Sequence, residues 1–96
     1  MPVYFLFEVD LSMADVDVFD SYESVALPIL REHGGALEAR VRDAGNALEW
    51  HLVRLPDRAS WQAFRDDPRR RGHAWLLQRS RARVLRYEVE PLPWPA

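Results

Sequence analysis

The chain has 96 residues, with thirteen basic and fifteen acidic side chains and a formal charge of −2; every base is arginine and there is no cysteine. These counts exclude a disulfide scaffold, a thiolate nucleophile, a zinc knuckle, a Schiff-base lysine and a phosphate-loop lysine. Chemistry near neutral pH therefore falls to His33, His51 and His73, with tyrosines and carboxylates in support.

The length fits one domain over residues 1–90, followed by a Pro-rich tail at 91–96. A hydrophobic share of 48% and four tryptophans argue against disorder. The apolar run Val3–Phe7 is cut off by Glu8 and Asp10 and is too short for a signal core or a membrane span. A soluble, cytoplasmic protein is expected, with no membrane partner. Charge is divided along the chain: residues 1–57 hold eleven acids and four arginines, while 58–86 hold nine arginines and two acids. Such asymmetry can mark a nucleic-acid surface, but the net acidity points instead to the two halves complementing each other, within the fold or across a dimer. No nucleic-acid partner is expected.

Val3–Val9 alternates as a strand, with Val3, Phe5, Phe7 and Val9 on one face. Ser12 and Asp15 have the spacing of a capping box, and a helix follows from about Ala14 to His33. Its stripe is Val18, Tyr22, Val25 and Ile29, widened by Phe19, Ala26 and Leu30. Pro28 predicts a kink, and Gly34-Gly35 a left-handed stop. Leu37, Ala39 and Val41 alternate with charged residues as a second strand. The turn Asp43-Ala44-Gly45-Asn46 leads to a third strand, in which Leu48, Trp50 and Leu52 alternate with Glu49, His51 and Val53. Asp57 can cap a short helix carrying Trp61 and Phe64, and Asp67-Pro68 opens another helical piece running to about Arg79. Arg83–Val89 is the last strand. The order β-α-β-β-α-β predicts an α+β, ferredoxin-like fold, a four-stranded antiparallel sheet with helices on one face.

Several residues carry a resemblance. Tyr22, Val25, Pro28-Ile29-Leu30 and His33-Gly34-Gly35 are followed by Leu52-Val53-Arg54-Leu55-Pro56-Asp57, then by Trp61, Phe64 and Asp67-Pro68. Over Val3 to Leu92 this pattern resembles the dimeric α+β barrel superfamily, nearest the domain-of-unknown-function family "thirteen-thirty". More distantly it is similar to the antibiotic-biosynthesis monooxygenases. The resemblance implies a homodimer whose two sheets close a barrel. The cofactor-free monooxygenases of the superfamily use an Asn on an early strand near a Trp, and its haem-degrading branch adds a helical His. Trp61 and His73 match the latter two places; the first strand has no Asn, and Asn46 lies in a turn.

The sheet face with Tyr4, Glu8, Glu38, Arg40, Glu49, His51, Arg86 and Glu88 is expected to lie away from the helices. There it forms either an Arg–Glu network that sets dimer register or an acid–base site around His51. A one-residue change of register would exchange His51 and Trp50. His33 is either a helix cap or a proton donor, and Tyr22 either core or a group that orients a ligand. Trp50, Trp61, Phe64, Trp75 and Tyr87 form either the core or the walls of a pocket for a flat ligand, with Arg40 near it. Gly72 weakens the helix holding His73, and Arg69-Arg70-Arg71 is either solvated or a receiver for a carboxylate or phosphate. No metal-ligand spacing and no Gly-x-Ser-x-Gly elbow occur. The leading expectation is a cofactor-free enzyme that moves protons on a flat, mostly apolar metabolite, as an isomerase or cyclase does. The alternatives are a non-catalytic small-molecule-binding or accessory dimer, and an antibiotic-biosynthesis-type or haem-linked monooxygenase.

Overall fold

A computed structural model describes residues 1–95. The elements are β1 (Val3–Asp10), α1 (Val16–Glu32), β2 (Ala36–Arg42), β3 (Leu48–Leu55), α2 (Arg58–Asp66), α3 (Pro68–Ser80) and β4 (Arg83–Val89). All strand pairs are antiparallel, in the order β2-β3-β1-β4. The helices cover one face, so the fold is ferredoxin-like, with its second crossover helix broken at Asp67-Pro68. No helix among the described residues is long and apolar enough to cross a membrane.

The helix ends follow from local chemistry. Asp15, rather than Ser12, caps α1: its carboxylate accepts from the Val18 N–H at 3.2 Å. Ser12 is drawn instead onto the Asp10 carboxylate through its N–H at 2.9 Å and its hydroxyl at 2.6 Å. Gly34 ends α1 at φ +84°, a left-handed turn that places the Gly35 N–H 2.9 Å from the Leu30 carbonyl. A Cβ on Gly35 would lie 2.6 Å from Leu30 Cγ, so only glycine fits there. Asp57 and Asp67 cap α2 and α3, and Gly72 is accommodated inside α3.

The core lies between α1 and the sheet. It is built from Val3, Phe5, Val53 and Leu55 on the strands, Tyr22, Ala26, Ile29 and Leu30 on α1, and Phe64 on α2. A second cluster, Val9, Leu11 and Phe19, closes the other end.

Three strands depart from the expected faces. In β3 it is Glu49, His51, Val53 and Leu55 that point toward the helices, and Trp50 and Leu52 that point away. Both parities of this strand are partly apolar. Pairing of Val53 with Phe5 and Leu55 with Val3 decides between them, and carries Glu49 and His51 inward on the same parity. In β2 a bulge between Leu37 and Ala39 interrupts the alternation. Leu37 stays opposite Val53, but beyond the bulge Arg40 and Arg42 fall opposite His51 and Glu49. Of the polar set expected on the outer face, Glu49 and His51 are therefore buried beside the helices, Arg40 lies on the same side but exposed, and Tyr4 and Glu8 stay outside. Arg86 likewise pairs with Phe7 on the inner face, while Tyr87 pairs with Leu6 on the outer one.

The middle of the outer face is consequently mostly apolar and uncovered, with Val41, Leu85 and Tyr87 each about half exposed and Glu8 set among them. The charged halves of the chain complement each other only in part. Arg69–Glu32 and His33–Asp67 cross between them, whereas Arg40 and Arg42 pair with Asp20 and Glu49 inside the acidic half.

Candidate functional site

Between α1, the α2–α3 pair and the inner sheet face lies a cavity of about 190 Å³. Its walls are mostly apolar: Phe7, Ala26, Leu27, Leu30, Val53, Trp61, Phe64 and Leu77. Trp61 packs in tilted contact on Phe5 at a centroid distance of 4.8 Å and on Phe64 at 5.6 Å, which fixes the aromatic wall. Five side chains interrupt this lining with chemistry: His51 on the sheet, Glu23 and Tyr22 on α1, and Arg65 with Arg70 on the helices opposite.

His51 is 5% exposed and its Nε2 is hydrogen-bonded to Oε2 of Glu49, itself 1% exposed. Arg42 holds the far oxygen of Glu49 from Nε at 2.6 Å and also binds Asp20 from Nη2 at 2.7 Å. Arg40 adds a longer contact to Glu49 Oε2 at 3.4 Å. Burial works to raise the Glu49 pKa, but hydrogen bonds from His51 and Arg42 outweigh it and hold the carboxyl below the usual Glu value. Burial pushes the His51 pKa down, and the Glu49 carboxylate only partly offsets this. At neutral pH the pair is thus an ionised Glu49 and a neutral His51 that donates from Nε2. That tautomer leaves the lone pair on Nδ1, which no protein group among the described residues occupies.

Glu23 faces the same space from α1. It is 8% exposed, and no hydrogen bond or ion pair among the described residues reaches its carboxyl. Burial, aided by the negative charges of Glu49 and Asp20 and opposed by Arg40 and Arg42, raises its pKa to about 7. Glu23 also borders an outer groove lined by Asp20, Ser24, Leu27, Pro28, Arg40 and Arg42, where Glu49 surfaces as well. The cavity therefore holds a neutral base on one wall and a carboxyl that keeps its proton to near neutrality on another.

Of the residues singled out from sequence, the structure brings Tyr22, His51, Trp61 and Phe64 together around this cavity. Arg40 does not line the cavity; it reaches Glu49 at 3.4 Å and Asp20 at 3.6 Å behind it. The others lie elsewhere. Trp50 and Tyr87 belong to the outer sheet face, for the parity reasons above. Trp75 is 54% exposed on α3. His33 terminates α1 and binds Oδ2 of Asp67 at 2.9 Å, tying α1 to the start of α3. Together with Arg69, the first cause, it holds the Asp67 carboxyl well below the usual carboxylate range. His73 is exposed and bonded to the Arg69 carbonyl at 2.8 Å. Asn46 sits in the β2–β3 turn at φ +56°. Glu23, Arg65 and Arg70 were not anticipated individually. Glu23 did leave a signal: it stands on the line Phe19, Glu23, Ala26, Leu30, an acid inside an otherwise apolar helical stripe.

A ferredoxin-like sheet with a partly polar cavity beneath its helices defines the class to which the chain can be compared. A scan against models of protein families gave no match, and a search of curated proteins gave none. Solved structures do match. SnoaB, a cofactor-independent oxygenase from Streptomyces nogalater, superposes with a TM-score of 0.72 at 13% identity, over 95% of this chain and 95% of that one. A protein of unknown function from Rhodopseudomonas palustris gives 0.74 at 16% identity, over 94% and 84%. A dimeric ferredoxin-like protein of unknown function from Jannaschia gives 0.62 at 16%, over 90% and 99%. Likeness at this identity establishes the shared fold and no more.

Proposed function

We propose that the chain is a cofactor-free enzyme that transfers protons on a small carbonyl compound held in the helix–sheet cavity. The observation that carries this reading is that His51, held at Nε2 by Glu49 and with no protein partner at Nδ1 among the described residues, lines the same cavity as Glu23, whose carboxyl has no partner among the described residues. A neutral imidazole can remove a proton from carbon next to a carbonyl. The C–H bonding pair then moves into the C–C bond, the carbonyl pair moves to oxygen, and the Glu23 O–H supplies a proton to that oxygen. Return of the proton from His51 to the same carbon, as the enol O–H gives its proton back to Glu23, restores the ketone and gives exchange; in a substrate whose enol is conjugated to a further C=C bond, delivery to the far carbon of that system, with the same return to Glu23, completes an isomerisation. Two groups whose surroundings push their pKa values in opposite directions suit these opposite tasks.

The test is solvent deuterium exchange at the benzylic carbon of phenylacetone, followed by proton NMR at pH 7. The wild-type chain is expected to accelerate exchange over buffer, and His51→Gln to remove about 99% or more of that acceleration, the scale typical of one general base. Equal rates in the two proteins would sink the proposal. Oxygenation of the same carbanion is the second reading, favoured by the cofactor-independent oxygenase among the structural neighbours. Oxygen consumption with the same probe separates the two.

The uncovered apolar face formed by Leu6, Trp50, Leu52, Val41, Leu85 and Tyr87 supports a homodimer, in which a second copy covers it. A structural neighbour is dimeric. Native mass at micromolar concentration is expected to give twice the chain mass, and Leu85→Glu to give the monomer; a monomeric wild type contradicts this.

A further inference from the structure

We infer that the ligand of this cavity is a single-ring carboxylate, its ring against Trp61 and Phe64 and its carboxylate held at the mouth by Arg65 and Arg70. The inference rests on the cavity being a ligand site and adds the class of ligand.

The first observation is size. A cavity of about 150 Å³ holds one benzene molecule, and drug-sized ligands use about 300–1,000 Å³. At about 190 Å³ this cavity is large enough for one ring with a short substituent and lies well below the drug-sized range. The wall that receives the ring is aromatic and braced, since Trp61 is packed on both Phe5 and Phe64.

The second observation is charge. Arg40, Arg42, Arg58 and Arg69 all have carboxylate partners within the fold. Arg65 and Arg70, the two arginines lining the cavity, have none among the described residues. Asp66, next to Arg65, is instead hydrogen-bonded by Gln62 at 3.0 Å, and Asp67, the acid nearest Arg70 in sequence, is held by His33 and Arg69. Among the described residues the one carboxyl that lines the cavity with them is that of Glu23, which keeps its proton to near neutrality.

The third observation is order. Arg70 donates from Nε and Nη2 to the Arg65 carbonyl at 3.1 and 2.7 Å, and lies over the Phe64 ring at 5.6 Å. Its Nη1 is left beside the Tyr22 hydroxyl at 3.5 Å. A guanidinium held this way, with no anion of its own, is prepared for one. Arg65 is exposed, so its charge is free to swing over the same opening. A ligand anchored at the mouth would extend inward toward Glu23 and His51, so the reacting carbon belongs on the side chain that joins ring and carboxylate.

Phenylpyruvate and phenylacetone share the ring and the ketone and differ in the carboxylate, so calorimetry with the pair isolates the anion. Phenylpyruvate is expected to bind wild type about tenfold tighter or more, the worth of one charge-assisted hydrogen bond. The advantage should shrink in Arg65→Gln, vanish in Arg65→Gln/Arg70→Gln and persist in Arg71→Gln, whose side chain is exposed and outside the cavity. Pyreneacetate, with four fused rings, should not bind. Equal affinity for the two probes, an advantage that survives the double variant, or tight binding of pyreneacetate would each overturn the inference. Arg65 is exposed and its side chain makes no hydrogen bond or ion pair among the described residues, so Arg65→Gln keeps the test valid even if replacing Arg70 disturbs folding. The proton-transfer reading fails by a different result: phenylpyruvate bound as expected while phenylacetone exchange stays at the buffer rate.

Discussion

Replacing Arg42 with alanine is expected to destabilise the fold by about 3 kcal/mol, the lower end of the cost of breaking a buried ion pair. Glu49 is 1% exposed, and Arg42 is its closest arginine, at 2.6 Å. Without Arg42 the carboxylate keeps only His51 and the longer contact from Arg40 at 3.4 Å, which is why the upper end is not reached. The same substitution frees Asp20, but that group is partly exposed and rehydrates at little cost. The double variant Arg42→Ala/Glu49→Leu should recover most of the loss, because an apolar side chain leaves no stranded charge. Urea unfolding of the four proteins gives the coupling between the two positions. A single variant within about 0.5 kcal/mol of wild type would mean that the network behaves as ordinary solvated surface.

Glu23→Gln is expected to change how stability depends on pH. The Glu23 carboxyl titrates near 4.5 when unfolded and at about 7 in the fold. Between those values the folded chain holds a proton that the unfolded chain has released. Wild-type stability therefore falls, on account of this group, as pH rises from about 4.5 to about 7, and levels off above. The full shift is worth on the order of 3 kcal/mol. Glutamine carries no such proton. The stability of the variant relative to wild type should therefore climb by roughly that amount between pH 4.5 and 8. His51 works in the opposite sense. Its pKa is lowered from 6.5 by burial, so its contribution is present above 6.5 and is lost as pH falls through the folded value. It is common to both proteins and cancels in the difference. A difference that stays flat with pH would show that Glu23 is ionised and solvated in the fold.

These effects arise where the sequence was hardest to read. The element order, the caps at Asp57 and Asp67 and the glycine stop after His33 were legible, because each depends on neighbours in the chain. So was the inner face of β1, where Val3, Phe5 and Val9 have no competing set. In β3 Leu48, Trp50 and Leu52 compete with Val53 and Leu55 on opposite parities, and alternation alone does not choose. The choice is made across the sheet, by pairing with Val3 and Phe5. The β2 bulge is also a pairing event, and it turns Arg40 and Arg42 toward Glu49. Once both are known, the buried Glu49–His51 pair follows, since these arginines offset the cost of taking Glu49 out of water. The cavity mouth was less accessible still. Arg69, Arg70 and Arg71 look alike in a row, yet Arg69 is spent on Asp67 and Glu32, Arg71 is exposed, and Arg70 alone reaches the Tyr22 hydroxyl. Helical phase separates them, and its effect depends on where α3 docks.

The pairing of His51 as base with Glu23 as acid is tested most directly by the pH–rate profile of deuterium exchange into phenylacetone. Activity requires neutral His51 and protonated Glu23, so the rate should fall above about pH 7 as Glu23 releases its proton. In Glu23→Gln that upper limb should disappear while a reduced rate remains. A wild-type rate that keeps rising through pH 9, or an upper limb unchanged in Glu23→Gln, would contradict the assignment of these two residues.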